Sequence, residues 1–340
     1  MSSQNDSETT SRKQLQDMID GFKVTQLIYV VAKLGIADLL EVSPKTSEEL
    51  GEAVGAHPRN LYRVLRALAS LGIFFEDDDG RFQLTPLAKH LRSDVSGSVL
   101  DMVVMHGEPW VWRPWGELLH NVKTGEIAFD HAFNTGYWAY FDVNPEARET
   151  FNQYMTTRSG QELASVLVDY DFSGISQVVD MGGGQGTLIT AILQAHPHMQ
   201  GILFDLPDAV EGAGNIIEAG GVGDRCEIIG GDFFEAVPVG GDAYILQAVI
   251  HNWEDTPATA ILKNCRMAIG SNGRLIIVDS VIPTGNDPFP GKIHDILMMV
   301  SYGALERTEA EFRQLLDLSS FKLNNIIPAQ PRSVIEAVPV

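Results

Sequence analysis

Cysteine, basic residues and long apolar runs are scarce in this chain of 340 residues. Cys226 and Cys265 are its only cysteines, which argues against a disulfide framework or a thiolate metal site and predicts reduced thiols in a cytoplasmic protein. No stretch approaches about 18 uninterrupted apolar residues, so no membrane span is predicted. The 24 basic residues face 45 acidic ones, and the resulting charge of −21 disfavours nonspecific nucleic-acid binding.

The length favours two domains, and the sequence pattern changes along the chain. Residues 1–13 are polar, lack the basic-then-apolar order of a signal peptide, and predict a disordered tail. Residues 14–95 predict a helical and winged-helix domain. Residues 96–165 predict a helical linker that contributes to a substrate pocket, and residues 166–340 an α/β domain.

A winged helix is predicted from a capped helix start at Thr46, a second helix over 59–71, and two short strands around the turn at 77–80. Such a unit often binds DNA. Residues 45–94, however, contain seven basic and eight acidic residues, and three of the acids are at the wing tip. The positively charged surface that a DNA-binding protein needs is therefore missing. Apolar residues recur at helical spacing over 14–40, and a second subunit is a good candidate to bury this apolar surface. The unit is therefore expected to be a dimerising module.

Aromatic residues are concentrated between residues 95 and 165. They either pack between domains or form the wall of a pocket for a flat ligand. The set comprises Trp110, Trp112, Trp115, Phe129, Phe133, Tyr137, Trp138, Tyr140, Phe141, Phe151 and Tyr154.

Alternating strand and helix patterns begin near residue 175 and predict a parallel sheet covered by helices on both faces. A closing pair of strands is expected over 321–327 and 333–338. The five preceding strands are expected over 177–180, 201–205, 226–230, 243–248 and 274–279.

Acidic residues stand where the first three of these strands end, at the sheet edge where α/β proteins bind ligands. Asp180 precedes a glycine loop of Gly182, Gly184 and Gly186. Asp205 follows 25 positions later, where an acid suits the hydroxyls of a ribose. Each acid alone is more often a loop or cap residue.

The third of these acids, Asp232, follows the third strand, and Phe233 stands beside it. An acid there can accept a hydrogen bond from an adenine amino group. The three acids, in order and each at a strand end, predict an adenosine ligand.

His251 follows the fourth strand and is a natural general base near neutral pH, although a single histidine is more often structural. Asp279 ends the fifth strand, and Glu306 lies further on. A carboxylate on one ring nitrogen fixes the tautomer and stabilises the imidazolium, so these acids favour a catalytic histidine.

With these motifs the chain resembles the S-adenosylmethionine-dependent O-methyltransferases of the plant phenolic type and their bacterial relatives. The resemblance covers nearly the whole chain from about residue 14. It rests on five motifs in order: DMGGGQG at 180–186, FDLP at 204–207, GDFF at 231–234, HNW at 251–253 and ERT at 306–308.

The resemblance implies a Rossmann-like methyltransferase domain, with a mostly parallel seven-stranded sheet and an antiparallel last strand, behind an N-terminal winged-helix dimerisation domain. It implies a homodimer that binds S-adenosylmethionine, releases S-adenosylhomocysteine, needs no metal, and methylates a hydroxyl of a small phenolic, flavonoid, phenazine or polyketide-like acceptor. The catalytic residues it implies are His251, Asp279 and Glu306.

The resemblance also assigns binding residues. Those for the cofactor are Ser159, Asp180, Gly182, Gly184, Gly186, Asp205, Leu206, Gly231, Asp232, Phe233 and Gln247. Those for the acceptor are Phe151, Met155, His251, Asn252, Asp295, Met298, Met299 and Tyr302.

Three positions depart from the plant pattern and favour a bacterial relative. Asn252 replaces an aspartate, Gln247 replaces a lysine, and Asp279 replaces a longer glutamate. Two other functions remain open. A nicotinamide oxidoreductase would usually show Gly-x-Gly-x-x-Gly spacing, whereas the glycines here alternate. The other is a ligand-sensing winged-helix transcription factor, which the charge count opposes. A family member that has lost methyl transfer is a third possibility, against which the retained His251 and Glu306 argue.

Overall fold

The computed structural model describes the backbone of residues 2–329 and 332–340, and the side chains of residues 10–158, 170–329 and 332–340. Contacts divide the chain into two units. Unit 1 comprises Met1–Trp112 and Glu149–Tyr154, and unit 2 comprises Arg113–Arg148 and Met155–Val340. The domain boundaries at 95 and 165 stay predictions. The predicted linker is divided between the two units.

Unit 1 is mainly helical. Its elements are α1 (Ser2–Lys33), α2 (Ile36–Leu39), α3 (Ser47–Val54), α4 (Pro58–Ser70), β1 (Phe74–Glu76), β2 (Phe82–Leu84), α5 (Pro86–Lys89) and α6 (Leu100–Gly107). Helix α7 (Pro109–Gly116) crosses into unit 2. Helix α1 thus includes residues 2–13 of the predicted disordered tail, so a helix forms where the polar composition alone predicts none.

The winged-helix pattern forms as expected from its local signals. Thr46 and Glu49 build a capping box at the start of α3, and Pro58 stands in the first turn of α4. Strands β1 and β2 pair antiparallel. Asp77 at the wing tip accepts the backbone N–H groups of Asp79 and Arg81, at 3.0 and 2.9 Å, so it stabilises the turn.

Unit 2 holds a seven-stranded sheet in the order β5-β4-β3-β6-β7-β9-β8. Strands β3 to β7 are parallel, and β9 runs antiparallel to both β7 and β8. The predicted fold class is confirmed. The strands are β3 (Gln177–Met181), β4 (Gln200–Asp205), β5 (Cys226–Gly230), β6 (Ala243–Gln247), β7 (Arg274–Asp279), β8 (Phe321–Ile327) and β9 (Ser333–Pro339).

Helices complete unit 2. They are α8 (Leu118–Thr124), α9 (Ala128–Phe133), α10 (Tyr137–Val143), α11 (Pro145–Asp169), α12 (Thr187–Ala195), α13 (Ala213–Ala219), α14 (Asp255–Ala268), α15 (Pro290–Tyr302) and α16 (Glu309–Leu318), with 3₁₀ turns at Gly223–Arg225 and Ile250–Asn252. Residues Glu149–Tyr154 of α11 belong to unit 1. No helix in the described part of the chain is both long and apolar enough to span a bilayer.

Two apolar layers, one on each face of the sheet, explain why its strands are near-continuous apolar runs. Along β7, Leu275 and Ile277 join one layer, whereas Ile276 and Val278 join the other. Both cysteines are free thiols, as expected. Burial raises the pKa of Cys265 to about 12 and that of Cys226 to about 11, so neither is a reactive thiolate near neutral pH.

Candidate active site

The site lies at the carboxyl ends of β3 and β6. Strand β3 pairs with β4 on one side and with β6 on the other, so the direction of chain connection reverses there. Ligands of open α/β sheets bind in the crevice at such a point. The glycine loop follows β3 and the histidine turn follows β6, which brings the predicted cofactor and catalytic residues to the same sheet edge.

The glycine loop requires glycine at its first position. Gly182 has a φ of 70°, and its N–H donates to the carbonyl of Phe204 at 2.7 Å. A Cβ atom there would lie 2.8 Å from Cγ2 of Val249. Gly184 and Gly186 also have positive φ. A side chain at 182 would therefore collide with Val249 and strain the backbone.

Asp205, at the end of β4, holds the same loop. Its two carboxylate oxygens accept the N–H of Gly184 at 2.8 Å and that of Leu206 at 2.7 Å. Burial raises the pKa of Asp205, although these two hydrogen bonds oppose the rise. Each oxygen keeps a second lone pair, so the carboxylate can still accept from two hydroxyl groups.

Asp180 lies beneath the loop and is 1% exposed. Burial, followed by the negative charge of Asp205, raises its pKa to about 7. A Cβ atom on Gly183 would lie 2.6 Å from Oδ2 of Asp180, so the loop backbone covers this carboxyl group. Asp180 supports the loop from below.

The segment after β5 borders the loop from the other side. Gly231 donates to the carbonyl of Asp205 at 2.9 Å, and Asp232 accepts the N–H of Phe234 at 2.8 Å. The Phe233 ring lies 3.8 Å from where a Cβ of Gly182 would stand. Gln247 ends β6, beside Val278 of β7. Phe233 therefore lies beside the glycine loop, and the adenine-binding roles of Asp232, Phe233 and Gln247 stay predictions.

The turn that carries His251 is tightly constrained. Ala248 has a φ of 56°, a left-handed conformation that costs a non-glycine residue energy and persists only where surrounding structure imposes it. The buried Arg307 guanidinium donates to the carbonyl of Ile250 at 3.2 Å and to that of Trp253 at 2.8 Å, and pairs with Asp255. Arg307 therefore clamps the turn on both sides of the histidine.

His251 is buried among charged groups. Its Nδ1 lies 2.8 Å from Oε1 of Glu306 and 3.9 Å from Oδ1 of Asp279. Asp279 instead accepts the backbone N–H of His251 at 3.3 Å and pairs with Arg332 at 2.9 Å. Glu306 is thus the carboxylate that contacts the imidazole, and Asp279 positions the turn.

Burial is the main influence on both acids. It raises the pKa of Asp279, and it raises that of Glu306 to about 7 although Arg332, Arg158 and Arg307 lower it. The folded protein therefore holds a proton on Glu306 that the unfolded chain releases near pH 4.5. Stability from this group is present below about pH 4.5 and is lost as pH rises through about 7.

Activity is expected to change in the opposite direction, because an ionised Glu306 is needed to accept from Nδ1. We predict that kcat/KM falls as pH drops below about 7, and that Glu306→Gln lowers the plateau and removes this limb. The pH profile of both proteins with saturating cofactor checks this. An unchanged limb in Glu306→Gln would assign it to another group.

The predicted acceptor residues are only partly brought together. Asn252, Met299 and Tyr302 line a cavity of about 1320 Å³ in unit 2. Met298 is buried, and Asp295 accepts the N–H of Glu306 at 2.8 Å, which is a supporting position.

Two other predicted acceptor residues are not among the described lining residues of this cavity. Met155 belongs to unit 2 but is not among the cavity residues, and Phe151 belongs to unit 1. The side chain of Ser159 lies outside the described residues. The roles of all three stay predictions.

The sequence analysis did not identify Arg332 as a residue of the site, and it did not foresee that Arg307 holds the histidine turn. Arg332 is 1% exposed, and its Nη1 lies 3.4 Å from Nδ1 of His251. No local motif surrounds it, and it meets Asp279 only through tertiary folding. Arg307 stands inside the ERT motif. Its charge, next to the predicted catalytic acid Glu306, could have indicated a role in the site.

Comparisons with known proteins place these features in one family. The model of the O-methyltransferase domain matches residues 115–322, and that of the O-methyltransferase dimerisation domain matches residues 16–94. The chain is 46% identical to Phenazine O-methyltransferase PhzM of Lysobacter antibioticus, with 96% of each chain covered. It is 37% identical to Mitomycin biosynthesis 6-O-methyltransferase of Streptomyces lavendulae, covering 95% of this chain and 93% of the relative.

A solved structure extends the comparison to ligands. The O-methyltransferase NcsB1 from neocarzinostatin biosynthesis, in complex with S-adenosylmethionine and 2-hydroxy-5-methyl naphthoic acid, is 29% identical and aligns with a TM-score of 0.83. The alignment covers 93% of this chain and 96% of NcsB1.

Proposed function

The chain belongs to the family of S-adenosylmethionine-dependent O-methyltransferases, and we propose that it methylates a hydroxyl of a small aromatic acceptor with His251 as general base. The observation that carries the base assignment is the buried contact of 2.8 Å between Nδ1 of His251 and Glu306. This contact lies at the same sheet edge as the glycine loop.

The crevice fits S-adenosylmethionine, which supplies an activated methyl group on its sulfonium. A Cβ on Gly184 would meet open space, so the bare backbone of the loop leaves room there for the methionine end. Asp205 has lone pairs for the two ribose hydroxyls, and Phe233 offers an aromatic face at the loop. Asp232 is the proposed acceptor for the adenine amino group.

His251 would remove the proton of the acceptor hydroxyl. With Nδ1–H donated to Glu306, a neutral imidazole carries its lone pair on Nε2, and that atom takes the proton. The resulting imidazolium is stabilised by the buried carboxylate. A phenol has a pKa near about 10, so a positioned base contributes about 10²–10⁴-fold, and alignment of the two reactants supplies much of the rest.

The charges of the site favour metal-free chemistry. His251, His294 and Glu306 bring three possible ligand atoms within 4.8 Å of one another. Arg332, however, places a guanidinium nitrogen 3.4 Å from Nδ1 of His251, where it would repel a cation. We therefore propose that Glu306 serves the histidine and not a metal.

The chain carries the dimerisation domain of its family, and we propose a homodimer formed through it. The support is an apolar stripe on α1, where Leu15, Met18, Ile19 and Phe22 are each more than half exposed. Free thiols and the acidic balance favour a cytoplasmic protein that binds neither membrane nor nucleic acid.

A screen of phenolic, flavonoid, phenazine and polyketide acceptors with labelled S-adenosylmethionine tests the proposed function. Mass spectrometry should find a labelled, methylated product for at least one aromatic hydroxyl. If S-adenosylmethionine binds and no member of the panel is methylated, the proposed function is wrong.

Cofactor affinity should depend on Asp205. We predict that Asp205→Ala raises the Kd for S-adenosylmethionine by about 10- to 100-fold, because hydrogen bonds to a charged group and the hold on Gly184 are lost. Titration calorimetry measures the change. Asp208→Ala, an exposed neighbour, is the matched control. Equal affinity in Asp205→Ala and wild type would remove the ribose assignment.

A further inference from the structure

The cavity beside the catalytic turn is acidic. Glu126, Asp130 and Glu254 line it, and none of its described lining residues is lysine or arginine. Asn252, the residue after His251, and Met299 of α15 belong to the same lining. Because Asn252 follows His251 directly, the acceptor of the proposed reaction is placed in this cavity, which is bordered by carboxylates.

The wall of this cavity suits a flat ligand larger than one ring. The rings of Tyr137 and Tyr302 lie 4.3 Å apart, and those of Trp138 and Tyr302 lie 5.7 Å apart. Together they form an aromatic surface on which a fused ring system can stack. The volume of about 1320 Å³ exceeds what a single phenol needs.

Two histidines at this cavity, one of which is the lining residue His131, lie beside carboxylates. His120 contacts Glu126 at 2.7 Å, and His131 lies 3.6 Å from Glu117. The two imidazole rings stack with their centres 3.7 Å apart. Any positive charge on these histidines is opposed by adjacent carboxylates, so the pair does not offer a carboxylate site.

The arginines of unit 2 near this region have other roles. Arg113 lies over the ring of Phe133, at 4.6 Å, and Arg332 is buried against Asp279. Arg158 is close enough to Glu306 to lower the pKa of that carboxyl group. None of the three lines the cavity. An acceptor that carries a carboxylate would meet like charges and, among the described lining residues, no lysine or arginine.

We propose that the acceptor is a fused-ring aromatic hydroxyl compound without a carboxylate, selected by the acidic wall of Glu126, Asp130 and Glu254. This inference rests on the proposed function. It sets the chain apart from NcsB1, whose structure contains a naphthoic acid, and agrees with its likeness to a phenazine O-methyltransferase. Repulsion by several partly exposed carboxylates disfavours an anionic acceptor by about 10-fold or more.

Matched acceptors test the proposal. 6-Hydroxy-2-naphthoate and its methyl ester share a ring system and a hydroxyl remote from the substituent, and differ in charge. If the acceptor screen selects another ring system, the carboxylic acid of that ring system and its methyl ester are compared instead. At about pH 8.5, above the range in which histidines ordinarily titrate, kcat/KM should be about 10-fold or more higher for the ester. Raising the salt concentration should reduce the difference in kcat/KM between the ester and the acid.

A variant links the preference to the wall. The double change Glu126→Gln and Glu254→Gln should raise the ratio of kcat/KM for the acid to kcat/KM for the ester by about 10-fold. Glu227→Gln, on the exposed face of β5, is the control and should leave this ratio unchanged.

The outcomes separate this inference from the proposed function. Equal or faster methylation of the acid, or no response to the double change, overturns the acidic-wall proposal and directs attention to Arg158, while O-methylation itself stands. Failure to methylate any aromatic hydroxyl overturns both.

Discussion

Replacing His251 with glutamine lowers kcat by about 10²–10⁴-fold and leaves the Kd for S-adenosylmethionine within about 2-fold of wild type. The side chain contacts Glu306 through Nδ1 and stands on the turn after β6, whereas the glycine loop follows β3, so its loss removes proton transfer and spares the cofactor crevice. Steady-state kinetics with the acceptor found in the screen, together with titration calorimetry, measure the two quantities.

Two other histidines make this prediction specific. His294 lies 3.5 Å from the same oxygen of Glu306 and is the alternative base. We expect His294→Gln to lower kcat by less than about 10-fold, because His251 makes the shorter contact with that carboxylate. His57→Gln, at the exposed start of α4, should have no effect. Loss of turnover in His294→Gln alone would transfer the base assignment to His294.

Arg332→Met is expected to destabilise the protein by about 3–5 kcal/mol. Arg332 and Asp279 are almost completely buried and pair at 2.9 Å, so removing the guanidinium leaves a carboxylate in the interior without its cation. It also removes an interaction that lowers the pKa of Asp279. Urea denaturation at fixed protein concentration gives the change in the free energy of unfolding.

A second substitution distinguishes a buried charge from simple loss of packing. Adding Asp279→Asn to Arg332→Met removes the stranded charge, and we expect the double variant to be more stable than Arg332→Met alone. Arg313→Met is the surface control, because its pair with Glu309 is exposed and worth less than about 1 kcal/mol. If the two changes simply add, the ion pair is not the source of the loss.

The fold was predictable where a local pattern carried the information. Strands such as Arg274–Asp279 were recognised because apolar residues that face helices on both sides form continuous runs. The start of α3 was recognisable because Thr46 and Glu49 make a capping box. In both cases the residues that decide the structure are neighbours in the chain.

The proposed base was predictable for the related reason that it stands just after a strand, β6. His251 and Glu306 were identified from motifs, but which acid contacts the imidazole depends on tertiary distances. Arg332 and the acidic cavity wall have no local signature. Glu126 and Glu254 are far apart in the chain and come together only when α9 and the turn after β6 fold around the same space.

Transfer of a ¹³C-labelled methyl group from S-adenosylmethionine to a fused-ring aromatic hydroxyl, followed by NMR of the product, tests the central claim most directly. The account predicts a single label bound to the hydroxyl oxygen as an aryl methyl ether. A label on carbon or nitrogen, or an unchanged acceptor in the presence of bound cofactor, would contradict it.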